Sequence, residues 1–436
     1  MDVVGRADLL GAADDARAAS KARGSVFALA GECFLYLLSC QSDASVTERA
    51  AVLRDLDGTP PLIVHQAEAF GERHPYEVLF RSSHKLLMDS ATSEYLFCQD
   101  FWAGDNTIFR EIFAPALAAV EESLALYLSS CYDIGCVLLM LRINAGHQAI
   151  MSRRRAPCLD SYHEKMSAML WPRFKTLFEA HMVSIRSAPE RTMLQDGLQA
   201  HYVTRRFADF AASVHPLAAC GGDAQGLSAG MERLRAVVCD LLARISKLLG
   251  HRKRQMVFLI NNFEVVVTAL RDASRSGDPG CEGADRTPLF TYFSDGLARQ
   301  THLFVEEELA DQFNPLMAFV QAAEAAYKAL DAAGQPRAPL PQFRPEDAEP
   351  LLRDFRVRWK TSLEEIHRSI GSVFGPGQRS LDILQRTLSQ LLLFYTRLTG
   401  PEGVLMTYCG AAGAALCRDA VPTSALLAHI KVVIKT

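Results

Sequence analysis

The chain has 436 residues, of which 49% are hydrophobic and 22% are charged. This balance excludes an intrinsically disordered chain and predicts two or three packed units with sizeable cores. The formal net charge is only −4, so no global field draws the chain to nucleic acid or to an anionic membrane.

Apolar residues recur every three or four positions through most of the sequence, which predicts amphipathic helices. The clearest series run through residues 113–128, 162–185, 231–248 and 381–398. Capping boxes are predicted at Ser45-x-x-Glu48 and Ser161-x-x-Glu164, and Pro172 is expected to kink or break its helix. The β-branched end, 430–434, is also interpreted as helix. The predicted fold is all-α, an elongated stack of helical bundles.

Four stretches rich in glycine, proline or small residues predict connections between the helices. They are residues 219–230, 274–287, 332–345 and 399–422. They lead to four predicted parts: an N-terminal helical segment with a linker (1–73), a first bundle (74–218), a middle bundle (228–330) and a C-terminal bundle (343–436).

Neither the cysteines nor the apolar runs point to a secreted or membrane-spanning chain. The 11 cysteines are odd in number and form no CxxC pair, which favours reduced thiols. The strongest apolar run, 136–141, is cut by Arg142, whereas a membrane-spanning helix needs about 20 mostly apolar residues. The first residues lack the features of a signal peptide, so the chain is expected on the cytosolic side.

Sequence motifs for catalysis are weak. Residues 226–230 fit the GxSxG pattern around Ser228, but the motif requires a preceding strand and the residues before it read as a loop. Glu364-x-x-His367 has the spacing of di-iron bundles, without the second copy that such sites need. Phosphate loops and dinucleotide fingerprints are also missing from the sequence. We therefore predict no catalytic, cofactor-binding or metal-binding residue.

Two basic clusters and three tryptophans allow alternative interpretations. The clusters, 153–155 and 251–254, lie at or near helix ends, where cations complement the helix dipole; contact with a lipid or phosphoinositide is the alternative. Trp102, Trp171 and Trp359 are scattered, which favours helix packing over a ligand cage.

Several segments are too specific for generic helix. They are HPYEVLFRSSH at 74–84, EYLFC at 94–98, SCYD at 130–133, LWPRF at 170–174, SIRS at 184–187, HYVTRRF at 201–207 and QMVFLINNF at 255–263. In order and approximate spacing, this succession resembles the C-terminal two-thirds of the vacuolar protein sorting-associated protein 52 family. The resemblance is densest over residues 74–270 and extends to about residue 430.

The resemblance implies a non-catalytic subunit of the Golgi-associated retrograde protein complex and of the related endosome-associated recycling complex. These tethers consist of helical rods similar to exocyst and conserved oligomeric Golgi subunits. They capture carriers from endosomes at the trans-Golgi network, or recycling carriers, and promote SNARE-driven fusion. Family members also carry an N-terminal coiled-coil region, thought to assemble the complex, ahead of the part matched here.

The implied partners are vacuolar protein sorting subunits 51, 53 and 54, or 50 in the endosomal complex, with syntaxin SNAREs and Rab and Arf-like small GTPases. The expected location is the cytosolic face of the trans-Golgi network and endosomes, reached through partners, with a cytosolic pool. We expect no cofactor, nucleic acid or small-molecule substrate. The alternatives are a subunit of another rod-type tether, such as the exocyst, or a helical hydrolase using Ser228.

Overall fold

The computed structural model describes residues 46–62, 74–101, 106–188, 197–215, 224–275, 283–332, 345–401, 403–408 and 410–435. Over these ranges the regular structure is helical and includes no strand, which confirms the all-α prediction. The helices are α1 (Val46–Arg49), α2 (Tyr76–Phe101), α3 (Asn106–Ser130), α4 (Ile134–Arg153), α5 (Asp160–Ser187), α6 (Tyr202–Val214), α7 (Ala224–Lys247), α8 (Arg252–Arg275), α9 (Pro288–Ala332), α10 (Pro345–Phe374), α11 (Gln378–Thr399), α12 (Val404–Tyr408), α13 (Gly410–Asp419) and α14 (Thr423–Lys435).

The described residues fall into two compact units. The first takes its residues from Met1–Leu248 and Asn261–Ser294, and the second from Leu249–Ile260 and Asp295–Thr436. The four parts predicted from the sequence were divided at connections between helices, whereas these two units are defined by contacts. The four-part division therefore stays a prediction.

Helix α4 forms the centre of the first unit, where it packs between α2 and α5. The six residues from Cys136 to Leu141 are each at most 4% exposed. A helix that is apolar on all sides must be enclosed by other elements, and the sequence of α4 meets that condition. Its start is fixed by Asp133, whose side chain accepts a hydrogen bond from the Cys136 amide at 3.1 Å.

Helix α5 differs from prediction at its start and at its proline. It begins at Asp160, directly after the 3-10 turn Pro157–Leu159, so Ser161 lies inside the helix and the predicted capping box is wrong. The helix also continues through Pro172, so of the two predicted outcomes, a kink or a break, the break is wrong. Proline removes one backbone donor, but Leu170 and Phe174 on either side are buried, and their packing holds the helix together.

A buried amide ties α6 to α8 in the first unit. Asn262 Oδ1 accepts hydrogen bonds from the backbone amide of His201 at 2.9 Å and from Thr204 Oγ1 at 2.6 Å. The neighbouring Asn261 donates to the carbonyl of Leu198 at 2.6 Å. The segments HYVTRRF and QMVFLINNF, which stood out in the sequence, therefore meet in space.

Replacing Asn262 with alanine is expected to lower the free energy of unfolding by about 2–3 kcal/mol, because a buried backbone donor and a buried hydroxyl lose their acceptor. Urea unfolding followed by circular dichroism measures the change. The matched control is Gln378→Ala, because Gln378 donates a hydrogen bond to Asp382 on the exposed surface of α11. Equal losses in the two variants would contradict this account.

The second unit is held by aromatic packing. Phe355 of α10 stacks on Tyr395 of α11 with ring centroids 4.6 Å apart, and the Tyr395 hydroxyl donates to the carbonyl of Val421 at 2.8 Å. Helix α9 is kinked at Phe313, two residues before Pro315, where φ is −131° and ψ is 24°. Proline inside a helix is a standard cause of such a kink.

Two predicted connections contain helix. Residues 224–230 already belong to α7, and residues 399–422 hold α12 and α13. The glycines led to this error, since α13 begins Gly-Ala-Ala-Gly-Ala-Ala and its alanines, the best helix formers, outweigh two glycines. Of the other two connections, residues 276–282 and 333–344 lie outside the described residues. The C-terminal stretch, 430–434, is helical as predicted, within α14.

Candidate protein-interaction surface

Ser228 does not have the setting of a hydrolase nucleophile. It is exposed in α7, and Gly226 and Gly230 are part of the same helix. A nucleophile elbow places the serine at a sharp turn between a strand and a helix. A serine inside a regular helix lacks that strained turn, so the GxSxG match is local helix sequence.

The Glu364 and His367 pair lies on α10, with Glu364 exposed and His367 partly exposed. In the part of the chain that the structure describes, no group of three or more histidine, cysteine, aspartate or glutamate side chains could hold a metal ion. We therefore interpret Glu364 and His367 as ordinary surface residues of α10.

Cations in both basic clusters are paired with carboxylates of their own unit. Arg154 contacts Asp57 at 2.6 Å and Asp89 at 2.9 Å, and Lys85 joins the same two carboxylates at 3.2 Å. The Arg154 and Lys85 cations hold the pKa of Asp57 below its ordinary value. These contacts link α2 to the residues that follow α4.

The second cluster behaves similarly. Lys253 contacts Glu308 at 2.8 Å and also pairs with Asp311, while Arg252 lies 3.7 Å from Glu307. A lipid headgroup would have to compete with these carboxylates. Lipid contact stays the alternative interpretation of both clusters, and intramolecular pairing already accounts for Arg154, Arg252 and Lys253.

Two of the three tryptophans pack against other rings. Trp359 is buried and meets the His429 ring edge-on at 5.1 Å, and Trp171 is half-buried with Phe174 edge-on at 5.7 Å. Trp102 lies outside the described residues. Both visible contacts are those of helix packing.

Among the described residues, two helices are long and apolar enough to cross a membrane, by length and composition only: Thr107–Ser130 and Ile134–Arg153. The sequence argument missed them because it considered only one uninterrupted apolar run. The most apolar stretch of the second helix is 78% buried, as expected for a core helix, whereas that of the first is only 17% buried. Helix α3 therefore directs much of its apolar surface outward.

Large apolar side chains are exposed on α2 and α3. Phe97 and Phe101 of α2 are 50% and 69% exposed, and their rings stack with centroids 5.4 Å apart. Leu86 shares their side of the helix by helical periodicity. We call Leu86, Phe97 and Phe101 the α2 stripe. On α3, Ile112 and Leu126 are 59% and 55% exposed and share one side of that helix.

Burying an exposed side chain of this size gains about 1.5–3 kcal/mol. Clustered exposed aromatics are typical of protein-binding surfaces, where such residues act as anchors. The α2 stripe is therefore the candidate protein-interaction surface. Sequence reasoning missed it, although the spacing of four between Phe97 and Phe101 was an available signal.

The interior between α2, α4 and α5 contains three buried histidines: His84, His147 and His163. His84 Nδ1 lies 2.8 Å from the Phe80 carbonyl, so it donates, and Nε2 accepts from the Tyr162 hydroxyl at 2.9 Å. Nε2 has this acceptor role in the neutral imidazole, the form that burial favours. Burial lowers the pKa of His84 to about 3, that of His147 to about 3 and that of His163 to about 4.

Comparison with known proteins identifies the family. Residues 39–283 match the family described as "Vps52, C-terminal". The chain belongs to the Vps52 family. A relative from Arabidopsis thaliana, vacuolar protein sorting-associated protein 52 A, is 42% identical over 389 residues, which cover 89% of this chain and 52% of the relative.

Two further relatives agree. Vacuolar protein sorting-associated protein 52 B from Arabidopsis thaliana is 40% identical over 438 residues, covering 100% of this chain and 57% of the relative. The homolog from Rattus norvegicus is 30% identical over 356 residues, covering 80% of this chain and 47% of the relative. This Vps52-family chain thus spans about half the length of the curated relatives it matches, less than the two-thirds expected.

The Vps52 match contains the candidate surface, the buried histidines and the segments that carried the resemblance. The α2 stripe, the buried histidines and the segments from 74–84 to 255–263 all lie within residues 39–283. The resemblance predicted from those segments is therefore confirmed.

Proposed function

We propose that this chain is a non-catalytic part of a subunit in a vesicle-tethering complex that acts in vacuolar protein sorting. Membership of the Vps52 family carries the proposal, because the matched relatives are described as vacuolar protein sorting-associated protein 52. The all-helical fold and the exposed α2 stripe support a role in binding other proteins.

A tether has to bind other molecules and does not have to catalyse a covalent reaction. A tether raises the effective concentration of two membranes by holding a group on each of them at once. Several moderate interfaces on a well-packed body suffice for this task. Ser228 lies in a regular helix, and this setting gives no reason to prefer a hydrolase function over a tethering function.

In its finer form, the proposal is retrograde transport from endosomes to the trans-Golgi network and endocytic recycling, with promotion of SNARE-dependent fusion. The partners would be vacuolar protein sorting subunits 51, 53 and 54, or 50 in the endosomal complex. Syntaxins and Rab and Arf-like GTPases would complete the set. The place of action would be the cytosolic face of the trans-Golgi network and endosomes.

The test is affinity purification of the tagged chain from cells that express it, with mass spectrometry of the recovered proteins. Recovery of the sister vacuolar protein sorting subunits is expected. Recovery of exocyst subunits without them would replace the proposal by the exocyst alternative. Recovery of neither set would overturn the tether assignment for this chain.

The α2 stripe is proposed to contact a sister subunit. Replacing Phe97 and Phe101 together with serine is expected to lower recovery of the sister subunits about tenfold, since an aromatic anchor at an interface contributes at least 1–2 kcal/mol. Mass spectrometry with isotope-labelled reference peptides measures the recovery.

The matched control is the pair Val183→Ser and Val357→Ser, because both valines are also exposed, at 54% and 78%, and neither lies on α2. The control should recover the sister subunits as the parent chain does. Unchanged recovery with the Phe97 and Phe101 variant, while its circular dichroism is unchanged, would remove the α2 stripe from the interface.

A further inference from the structure

Helix α3 presents an apolar stripe to solvent. Ile112 and Leu126 are 59% and 55% exposed, and Pro115 and Ala119 are also exposed. These four residues follow one another at steps of three, four and seven positions, so helical periodicity places them on one side of α3. We call them the α3 stripe. At about 1.5 Å of rise per residue, the stripe is about 21 Å long.

The other sides of α3 are accounted for by packing and by charge. Phe113 and Leu124 are buried on the side that faces the core, and Glu121 pairs with Lys165 of α5. Glu122 is exposed beside the stripe. Because the α3 stripe itself carries no charge and exposes two large aliphatic side chains, it suits an apolar occupant.

A segment that suits the stripe lies nearer the N-terminus, outside the described residues. Residues 26–38 are hydrophobic except for Gly31 and Glu32. As a helix, this segment would have Val26, Phe34 and Leu37 on one side and Glu32 on the other. An apolar stretch of this length is too short to cross a membrane and is typical of a helix buried against other helices.

The described chain begins close to one end of the α3 stripe. The amide of Val46 donates to Asp209 Oδ2 at 3.1 Å, and a Cβ added at Gly135 would lie 2.8 Å from Val46 Cγ2. Gly135 is in the first turn of α4, directly after the end of α3, and Leu126 is one turn before that end. Residues 39–45 can span up to about 23 Å when extended, so residue 38 can reach Leu126.

We propose that residues 26–38 bind the α3 stripe as an additional helix of the first unit, running in the same direction as α3. The direction follows from the connection, because the chain leaves the stripe at the C-terminal end of α3. A helix of this segment is about 18 Å long, which matches the stripe. Phe27 would then lie near Ile112, and Leu37 would lie near Leu126. The occupant belongs to the same chain, so this inference does not rest on the tethering function.

The test is a photochemical cross-link in the purified full chain. Ile112 is replaced by p-benzoylphenylalanine, and the irradiated chain is digested with trypsin. No lysine or arginine lies between Arg23 and Arg49 or between Arg110 and Arg142, so residues 24–49 and 111–142 form one peptide each. The expected product joins these two peptides, and fragmentation should place the cross-link at residues 26–30. Absence of this product, or a cross-link to another part of the chain, would overturn the proposal.

A mixture of unlabelled chain and chain labelled with nitrogen-15 separates an intrachain contact from a contact between copies. Only pairs of peptides with the same label are expected. Pairs with different labels would show that a second copy occupies the stripe, and this result would overturn the proposal. The control carries p-benzoylphenylalanine at Val183 of α5, which is 54% exposed, and it should give no cross-link to residues 24–49.

Hydrogen exchange measures the same contact without a photoreactive group. Ile112→Ser together with Leu126→Ser should speed exchange of the amides of residues 26–38 at least tenfold, because the segment loses its two largest apolar contacts. Both side chains are exposed on α3, so the packing of the described helices should persist. The control pair Val183→Ser and Val357→Ser should leave this exchange unchanged. Equal exchange in the Ile112 and Leu126 variant and in the parent chain would contradict the proposal.

Discussion

Replacing Arg49 with alanine is expected to lower the free energy of unfolding of the first unit by about 3–5 kcal/mol. Arg49 Nε contacts Glu77 Oε1 at 2.7 Å, and Arg49 Nη1 contacts Asp133 Oδ2 at 2.7 Å. The side chains of Arg49 and Glu77 are only 6% and 1% exposed. These pairings raise the pKa of Arg49 above its ordinary value despite the opposing effect of burial.

The large loss follows from what remains after the substitution. Glu77 Oε2 has no hydrogen-bond partner among the described residues, so Arg49 is the main compensation for that buried carboxylate. Without it, Glu77 would have to be protonated or reach water, and both options cost free energy. Asp133 would also lose its cation while it caps α4.

Urea unfolding at neutral pH, followed by circular dichroism, measures this change. The control is Arg353→Ala, because Arg353 pairs with Glu349 at 2.6 Å on an exposed helix surface, and its loss should change stability by less than about 0.5 kcal/mol. The double variant Arg49→Ala with Glu77→Gln should recover part of the loss. A loss below about 1 kcal/mol for Arg49→Ala alone would contradict the buried ion pair.

Acidification from pH 7 to pH 5 is expected to destabilise the first unit by about 7–8 kcal/mol through four of its buried histidines, His84, His147, His163 and His181. In the unfolded chain each imidazole has its ordinary pKa of about 6.5. In the folded chain burial lowers the pKa to about 3 for His84 and His147 and to about 4 for His163 and His181.

The sign follows from proton binding. Above pH 6.5 neither state binds these protons, and the histidines impose no penalty. Between pH 6.5 and about 4 the unfolded chain binds up to four more protons at these histidines than the folded chain, so stability falls as the pH falls. Each histidine accounts for about 2 kcal/mol at pH 5. Lys85 and Arg81 also act on His147 and disfavour its protonation.

His147 offers the cleanest test, because neither of its ring nitrogens has a hydrogen-bond partner within the described ranges. His147→Leu should reduce the loss between pH 7 and pH 5 by about one quarter. Urea unfolding at several pH values measures it. His302→Leu is the control, since His302 is exposed, and it should leave the pH dependence unchanged. An unaltered pH dependence in His147→Leu would show that this histidine is not neutral and buried in solution.

Helix positions could be predicted from periodicity because each apolar series marks one side of a helix. Val238, Leu241 and Ile245 are buried as the spacing requires, although Leu248 at the end of the same series is 42% exposed. Periodicity shows which side of a helix is apolar, but it does not show where along its length the helix extends beyond the core. Residues 224–230 and α13 were likewise wrongly predicted as connections, because their glycines were taken as loop signals without regard to the packing that surrounds them.

The candidate sites were beyond sequence reasoning for a different reason. Arg49 is separated from Glu77 by 28 residues and from Asp133 by 84. His84 meets Tyr162 across 78 residues. A side chain's pKa and its ion-pair partners depend on neighbours brought together by helix packing, and nothing local in the sequence specifies them.

The sequence by itself determined the all-helical class, the absence of a nucleophile setting around Ser228, and the resemblance to the Vps52 family, because periodicity and ordered segments are local properties of the chain. The tertiary structure decided which polar groups are buried together, and that Phe97 and Phe101 face outward. Burial depends on which helix covers which, and that arrangement exists only once α2, α3, α4 and α5 have packed.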